Sequence, residues 1–213
     1  MTEKDVFIFV IDDNASVRKS LSFLLRSAGY EVKTFVSAEE FLSQAALDST
    51  GCIILDVVMR GINGLDLQEH LARHDCHMPI IFMSGHGDIP MSVRAMKNGA
   101  VDFLTKPFDD TQLLCLVESA VERCIRKKTA LDGIRDFRQR LKTLTSREYD
   151  VFLHVISGLL NKQIGGELNI KEHTVKVHRG RVMQKLGVDS VASLVRLAEK
   201  ANISIEPFYR TKV

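Results

Sequence analysis

No stretch of this 213-residue sequence is apolar for long enough to cross a bilayer, and no basic segment followed by a long hydrophobic run stands at its amino terminus. A membrane span and a cleaved leader are therefore not expected, and the expected location is the cytoplasm. The four cysteines, Cys52, Cys76, Cys115 and Cys124, show none of the paired spacings of a metal-binding motif. With Cys52 in a strand pattern and Cys115 in a helical one, they read as buried thiols without a functional role. Net charge is also small, at +2 from 29 basic and 27 acidic side chains. That balance conceals a division, because residues 1–122 hold 10 basic and 18 acidic side chains and residues 123–213 hold 19 and 9. The first part repels a polyanion and the second attracts one, so the two have different work.

The acidic part is organised around Gly51-Cys52-Ile53-Ile54-Leu55-Asp56, a short apolar run ending in a carboxylate. Such a run reads as a buried strand, and open α/β sheets bind ligands at the carboxyl ends of their strands. Val6 to Ile11 is a second such run, leading into Asp12 and Asp13. Three carboxylates from two neighbouring strand ends repel one another unless a cation or a proton sits among them, and their oxygens suit a hard divalent ion such as Mg²⁺. Ser84 follows the apolar run Ile80 to Met83, and Lys106 follows Val101 to Leu104, so both belong to the same rim.

Helical spacing between these runs, over Ser16–Leu25, Ser37–Leu47, Leu65–His74, Pro90–Asn98 and Asp110 to about Lys128, gives five strand-and-helix units. Units of this length build a five-stranded, doubly wound parallel sheet covered on both faces. Ser37 to Glu40 and Thr145 to Glu148 have the spacing of capping boxes. Residues 123–142 are dominated by charge and read as either a helical extension or an exposed linker. From 143 onward the pattern is all-α: a helix with Val151, Phe152, Val155 and Ile156 on one side, a short one over Asn161–Leu168, a longer one over Glu172–Leu186 and a fourth over Ser190–Lys200. The expected division is thus 1–122, a connecting segment 123–142, and 143–213 including a loose tail after Ala201.

Taken in order, Asp12-Asp13, Asp56, Ser84-Gly85 and Asp102-Phe103-Leu104-Thr105-Lys106-Pro107-Phe108 resemble the receiver domain of two-component response regulators. The resemblance implies a CheY-like fold with strand order 2-1-3-4-5 and names Asp56 as acceptor of a phosphoryl group from a sensor histidine kinase. It implies Mg²⁺ held by Asp12, Asp13, Asp56 and the Val58 backbone carbonyl, with Lys106 and Ser84 contacting the phosphoryl oxygens. A cis Lys106-Pro107 bond and a switch pairing Ser84 with Phe103 are also implied; plain core packing is the other reading of Phe103. His77 and His86 read as surface or loop residues. Arg60 departs from the family, which commonly has proline there, and this suggests altered phosphoryl lifetime or metal affinity.

In the basic part, Val175, Val182 and Leu186 are spaced to face a core, leaving Lys176 and Arg179 to reach outward. A helix of this kind can enter the major groove. Leu144-Thr145-x-Arg147-Glu148, Gly158, Asn161-Lys162-x-Ile164, Thr174-Val175-Lys176-Val177-His178, Met183-x-Lys185-Leu186 and Leu194-Val195-x-Leu197-Ala198 resemble the LuxR-type helix-turn-helix, and the whole chain resembles FixJ-type regulators of the NarL group. The resemblance makes Lys176 and Val177 base readers, with Lys162, Thr174, Arg179 and Arg181 on phosphates. It implies a homodimer on activation, double-stranded DNA as ligand and RNA polymerase as a further partner. Gly165, Gly166, Lys171 and Gly180 depart from relatives; on propensity alone Gly165→Ala should stabilise the scaffold helix. The chain is expected not to be an enzyme beyond its own phosphorylation and dephosphorylation at Asp56. Two alternatives stand beside this reading, a Mg²⁺-dependent aspartyl-phosphate phosphatase or phosphotransferase and a DNA-binding regulator indifferent to phosphorylation.

Overall fold

The computed structural model describes residues 6–85 and 89–203. Two compact units divide at Thr129/Ala130. In the first, β1 (Val6–Ile11), β2 (Glu31–Phe35), β3 (Thr50–Asp56), β4 (Ile80–Ser84) and β5 (Asp102–Thr105) form one parallel sheet in the order β2-β1-β3-β4-β5. They alternate with α1 (Ala15–Ser27), α2 (Ala38–Gln44), α3 (Gly64–Arg73), α4 (Ile89–Lys97) and α5 (Asp110–Leu141).

Side chains along a strand alternate between the two faces, and β1 shows the result. Phe9 and Ile11 enter one core layer with Phe35, Phe41 and Phe82, whereas Ile8 and Val10 enter the other with Leu25, Ile54, Leu113 and Val117. Strand β3, with neighbours on both edges and helices on both faces, is buried at every position, which is why it reads as an unbroken apolar run. That continuity drives Asp56 to the sheet edge with its backbone fixed on both sides.

Local chemistry departs from the sequence reading at several points. Helix α2 ends at Gln44, before Leu47. Ser37 caps it by accepting from the Glu40 N–H at 3.2 Å, but the Glu40 carboxylate accepts from the Val36 N–H at 2.7 Å instead of closing the box on Ser37. Cys52 and Cys124 are buried and Cys76 is half-buried, yet Cys115 is exposed, because it lies on the solvent side of α5 while Leu113 and Val117 take the core. The charged segment after residue 122 is helical: α5 runs without interruption through 32 residues.

The second unit contains the end of α5 and α6 (Ser146–Ile156), α7 (Asn161–Leu168), α8 (Glu172–Leu186) and α9 (Val191–Lys200). Its core is Val151, Phe152, Ile164, Val175, Val182, Leu186 and Leu194, and it includes Phe137 from α5, whose ring lies 6.5 Å from that of Phe152. Arg138 donates to the Ala201 carbonyl at 2.9 Å. The unit therefore begins near residue 130, well before 143. The capping box on α6 is complete, with the Glu148 N–H bonded to Thr145 Oγ1 at 3.3 Å and the Thr145 N–H bonded to Glu148 Oε2 at 2.8 Å.

Candidate functional site

Asp56 ends β3, and Asp12 and Asp13 follow β1, its neighbour in the sheet. The three carboxylates each offer an oxygen within 4.8 Å of the others. Asp12 is fully buried and Asp56 is 8% exposed, whereas Asp13 faces solvent. Asp12 is held firmly: its Oδ1 accepts from the Asn14 N–H at 2.8 Å, its Oδ2 from Lys106 Nζ at 2.7 Å, and its carbonyl from Arg18 at 2.6 Å. Lys106 Nζ reaches Asp56 Oδ1 as well, at 3.3 Å. The Lys106 N–H donates to the Ser84 carbonyl at 2.7 Å, which holds its backbone against the end of β4; the Lys106-Pro107 bond is cis.

Burial pushes the Asp56 carboxyl up from its ordinary range. Lys106 opposes that shift, and the negative charges of Asp12 and Asp13 add to it. One lysine among three carboxylates leaves the cluster short of positive charge. The donor set is all oxygen, which fits a hard divalent cation with room for water ligands. Ser84, buried at the end of β4, stands beside Thr105 in register. Val58 and Arg60 lie exposed in the loop after β3. The N–H of Ile62 in that loop donates to Glu39 Oε1 at 3.0 Å. Phe103, half-buried on β5, packs against its register partner Phe82 with ring centroids 6.4 Å apart. His77 is exposed, and His86 lies outside the described residues.

In the second unit, Val175, Val182 and Leu186 are buried. Lys162, Lys176 and Arg181 are exposed, Val177 is an apolar side chain 40% exposed, and Thr174 is half-buried in the first turn of α8. Arg179 has a further attachment, donating from Nη1 to Asn161 Oδ1 at 2.9 Å and so bracing α8 against the start of α7. Arg147 ties α6 to the end of α7 through the Leu168 carbonyl. Lys171 precedes α8 without a side-chain cap, so its first N–H groups lack the partner a serine would supply. Gly165 is buried, and a Cβ there would lie 2.8 Å from the Ile170 carbonyl oxygen; at Gly166 nothing lies within 4 Å. The expected gain from Gly165→Ala is thereby overturned, since the turn between α7 and α8 occupies the space a methyl needs.

Sequence reasoning missed Arg18, Glu39 and Asn161 as positioning residues. Glu39 and Asn161 act on groups remote in sequence and Arg18 on a carbonyl before its own helix, so periodic spacing carried no sign of them. Glu39 was visible only as part of a helix start.

The receiver family model, described as "Response regulator receiver domain", matches residues 8–118, and that of "Bacterial regulatory proteins, luxR family" matches residues 142–198. Nodulation protein W of Bradyrhizobium diazoefficiens is 47% identical over 206 residues, covering 97% of this chain and 91% of that protein. The transcriptional regulatory protein FixJ of the same organism is 42% identical over 196 residues, covering 92% of this chain and 96% of that protein. The solved structure of the response regulator StyR superposes with a TM-score of 0.81 at 47% identity, over 92% of this chain and 99% of that one. The sheet with its acidic edge is thus a response-regulator receiver, and the helical unit is a luxR-family DNA-binding domain. The chain belongs to the FixJ-type response regulators. It is a phosphorylation-dependent transcriptional regulator whose class implies a sensor kinase and DNA as partners. Among the described residues no helix is long and apolar enough to cross a membrane.

Proposed function

We propose that Asp56 takes a phosphoryl group from a phosphohistidine of the sensor kinase, and that the modified chain dimerises and binds its operator. The observation that carries this reading is the lysine shared between Asp12 and Asp56 at 2.7 and 3.3 Å, at a sheet edge otherwise short of positive charge. An Asp56 oxygen forms the new bond to phosphorus as the phosphorus–nitrogen bond breaks, and the electron pair leaves on the imidazole. Lys106 meets a phosphoryl oxygen with fixed positive charge, and the Ser84 hydroxyl donates to another. Asp12, Asp13, Asp56 and the Val58 carbonyl would hold Mg²⁺, which supplies charge neutralisation at the transferring oxygens when bound. Histidine leaves readily, so positioning and charge suffice and no general acid is required.

Movement of Ser84 toward the phosphoryl group opens space into which Phe103 turns, altering the α4–β5 face through which two copies pair. In the dimer, two α8 helices meet two half-sites. Lys176 addresses guanine acceptors and Val177 a thymine methyl, while Lys162, Thr174 and Arg181 contact phosphates. Arg179 contacts phosphate from the position Asn161 gives it. Recruitment of RNA polymerase follows in the cytoplasm, and the chain's own chemistry stays confined to Asp56.

The test uses purified chain, Mg²⁺, a small acyl phosphate and a pool of genomic DNA fragments, with Asp56→Asn as control. One retained phosphate per chain and fragment enrichment that grows on modification, both lost in the variant, are the expected outcome. Continuous turnover of the donor would instead favour a phosphatase, and enrichment unchanged by modification a phosphorylation-independent regulator.

A further inference from the structure

The segment between β3 and α3 leaves the phosphoacceptor and comes back to it. The Gly64 N–H donates to the Val57 carbonyl at 3.0 Å, and a Cβ on Gly64 would collide with the Asp56 carbonyl oxygen, so the start of α3 rests on the acceptor's own backbone. Between these ends Val57 and Met59 are buried, whereas Val58 and Arg60 are exposed. Among the described residues, the Ile62 N–H is the only backbone group from Val58 to Ile62 hydrogen-bonded to another part of the chain, and its partner is Glu39 Oε1 at 3.0 Å, in the first turn of α2. Gly61 lies against the same oxygen: its φ is +79°, and a Cβ there would stand 2.5 Å from Glu39 Oε1. Glycine thus allows both the turn and the close approach of the carboxylate. The Glu39 N–H, followed by that of Ile62, holds the Glu39 carboxyl below its usual range, so at neutral pH it is a charged acceptor.

We propose that Glu39 is a positioning residue for the divalent cation of phosphoryl transfer, a role that rests on the Mg²⁺ ligands proposed above. By holding Gly61 and Ile62 it fixes the course of the segment that carries the Val58 carbonyl. A backbone carbonyl is a ligand only in the direction its chain presents it, and an ion that demands near-octahedral geometry tolerates little displacement of a ligand. With both ends of the segment set on Asp56 and Val57, the freedom that remains is in the middle, where Glu39 takes hold. The partners behind the ligands of a metal are part of its affinity, and Glu39 is such a partner reached through the backbone.

The experiment titrates Mn²⁺, as a probe for the Mg²⁺ site, into the full-length chain and counts the free ion by electron paramagnetic resonance. The wild type is expected to bind one Mn²⁺ per chain, and loss of that binding in Asp13→Ala locates the ion in the carboxylate cluster. Glu39 is exposed, so its variants leave the core alone. Glu39→Ala should weaken Mn²⁺ binding about tenfold and speed exchange of the Ile62 amide hydrogen. Glu39→Gln, which keeps an acceptor oxygen without the charge, should bind as the wild type does. Phosphate incorporation by Glu39→Ala should be slow at limiting Mg²⁺ and should match the wild type at saturating Mg²⁺. A wild type that takes up no Mn²⁺ in the cluster removes the metal site, and with it this role. Equal affinity in the wild type and Glu39→Ala leaves the metal site standing and overturns the role of Glu39 alone. Glu39→Gln as weak as Glu39→Ala overturns it too, because charge and not the tie to the segment would then be acting.

Discussion

Each unit contains a buried carboxylate within bonding distance of a lysine, and the two carboxylates are shifted in opposite directions. Glu148, 3% exposed, has Lys185 Nζ at 2.6 Å and the Thr145 N–H at 2.8 Å. The Lys185 hydrogen bond, followed by the Thr145 N–H, holds its carboxyl well down, at about 2. Asp56 has Lys106 at 3.3 Å, but that lysine lies closer to Asp12, and burial together with two neighbouring carboxylates carries Asp56 upward. A lysine whose carboxylate has no acidic rival makes a clamp; a lysine divided among rivals leaves a site that still seeks positive charge. The same two residue types therefore build a structural joint in one unit and a reactive centre in the other.

The largest expected effect breaks the comparison at its reactive end. Asp56→Asn should abolish phosphate incorporation entirely, read by intact mass after incubation with an acyl phosphate. The same change should raise the receiver's melting temperature by a few degrees at neutral pH. A carboxylate whose folded pKa is raised carries its cost in the ionised form, so the gain should shrink as pH falls.

Glu148→Gln should act in the opposite sense, destabilising the helical unit by about 1.5–3 kcal/mol in denaturant titrations at neutral pH. The folded pKa is depressed from 4.5 to about 2, so the stability from this carboxylate is complete above 4.5 and is lost as pH falls toward 2. The gap between wild type and Glu148→Gln should close over that window. A variant as stable as the wild type at pH 7 would remove the distinction between clamp and reactive site.

Three smaller effects test whether the clamp acts locally. Gly165→Ala should cost about 1–3 kcal/mol by forcing a methyl toward the Ile170 carbonyl. Gly166→Ala and Lys171→Ser should each stabilise by about 1 kcal/mol, one through helix propensity and one by supplying the missing cap on α8. Neither residue shares a hydrogen-bond partner with Glu148, so these gains should add to the Glu148→Gln loss in double variants.

Much of this was legible in the chain. Apolar runs ending at Asp12 and Asp56 gave the sheet edge, because a strand buried on both faces must be apolar throughout and its first polar residue marks where it leaves the core. The positions of α7 and α8 followed from periodicity, and Val175, Val182 and Leu186 all face the core. What escaped was interaction between segments. Propensity described Gly165 as a weak point in a helix, while a methyl there would crowd the Ile170 carbonyl. Arg179 read as an outward-reaching cation, and its hydrogen bond to Asn161 left no sign in the spacing. The charge that left 123–142 open between a helical extension and a linker obscured Ile134, Phe137 and Leu141, which join the helical core.

Helix α5 has Cys124 in the receiver core and Ile134 packed on the core of the second unit, on one unbroken run of turns. A response regulator is often imagined as two cartridges that recombination can exchange at a spacer. In this chain a crossover at the edges suggested by composition would strand Phe137 with the wrong partner and leave Phe152 without its neighbour. The usable joint is confined to the few turns between Cys124 and Ile134, where a crossover leaves each end of the helix with its own core.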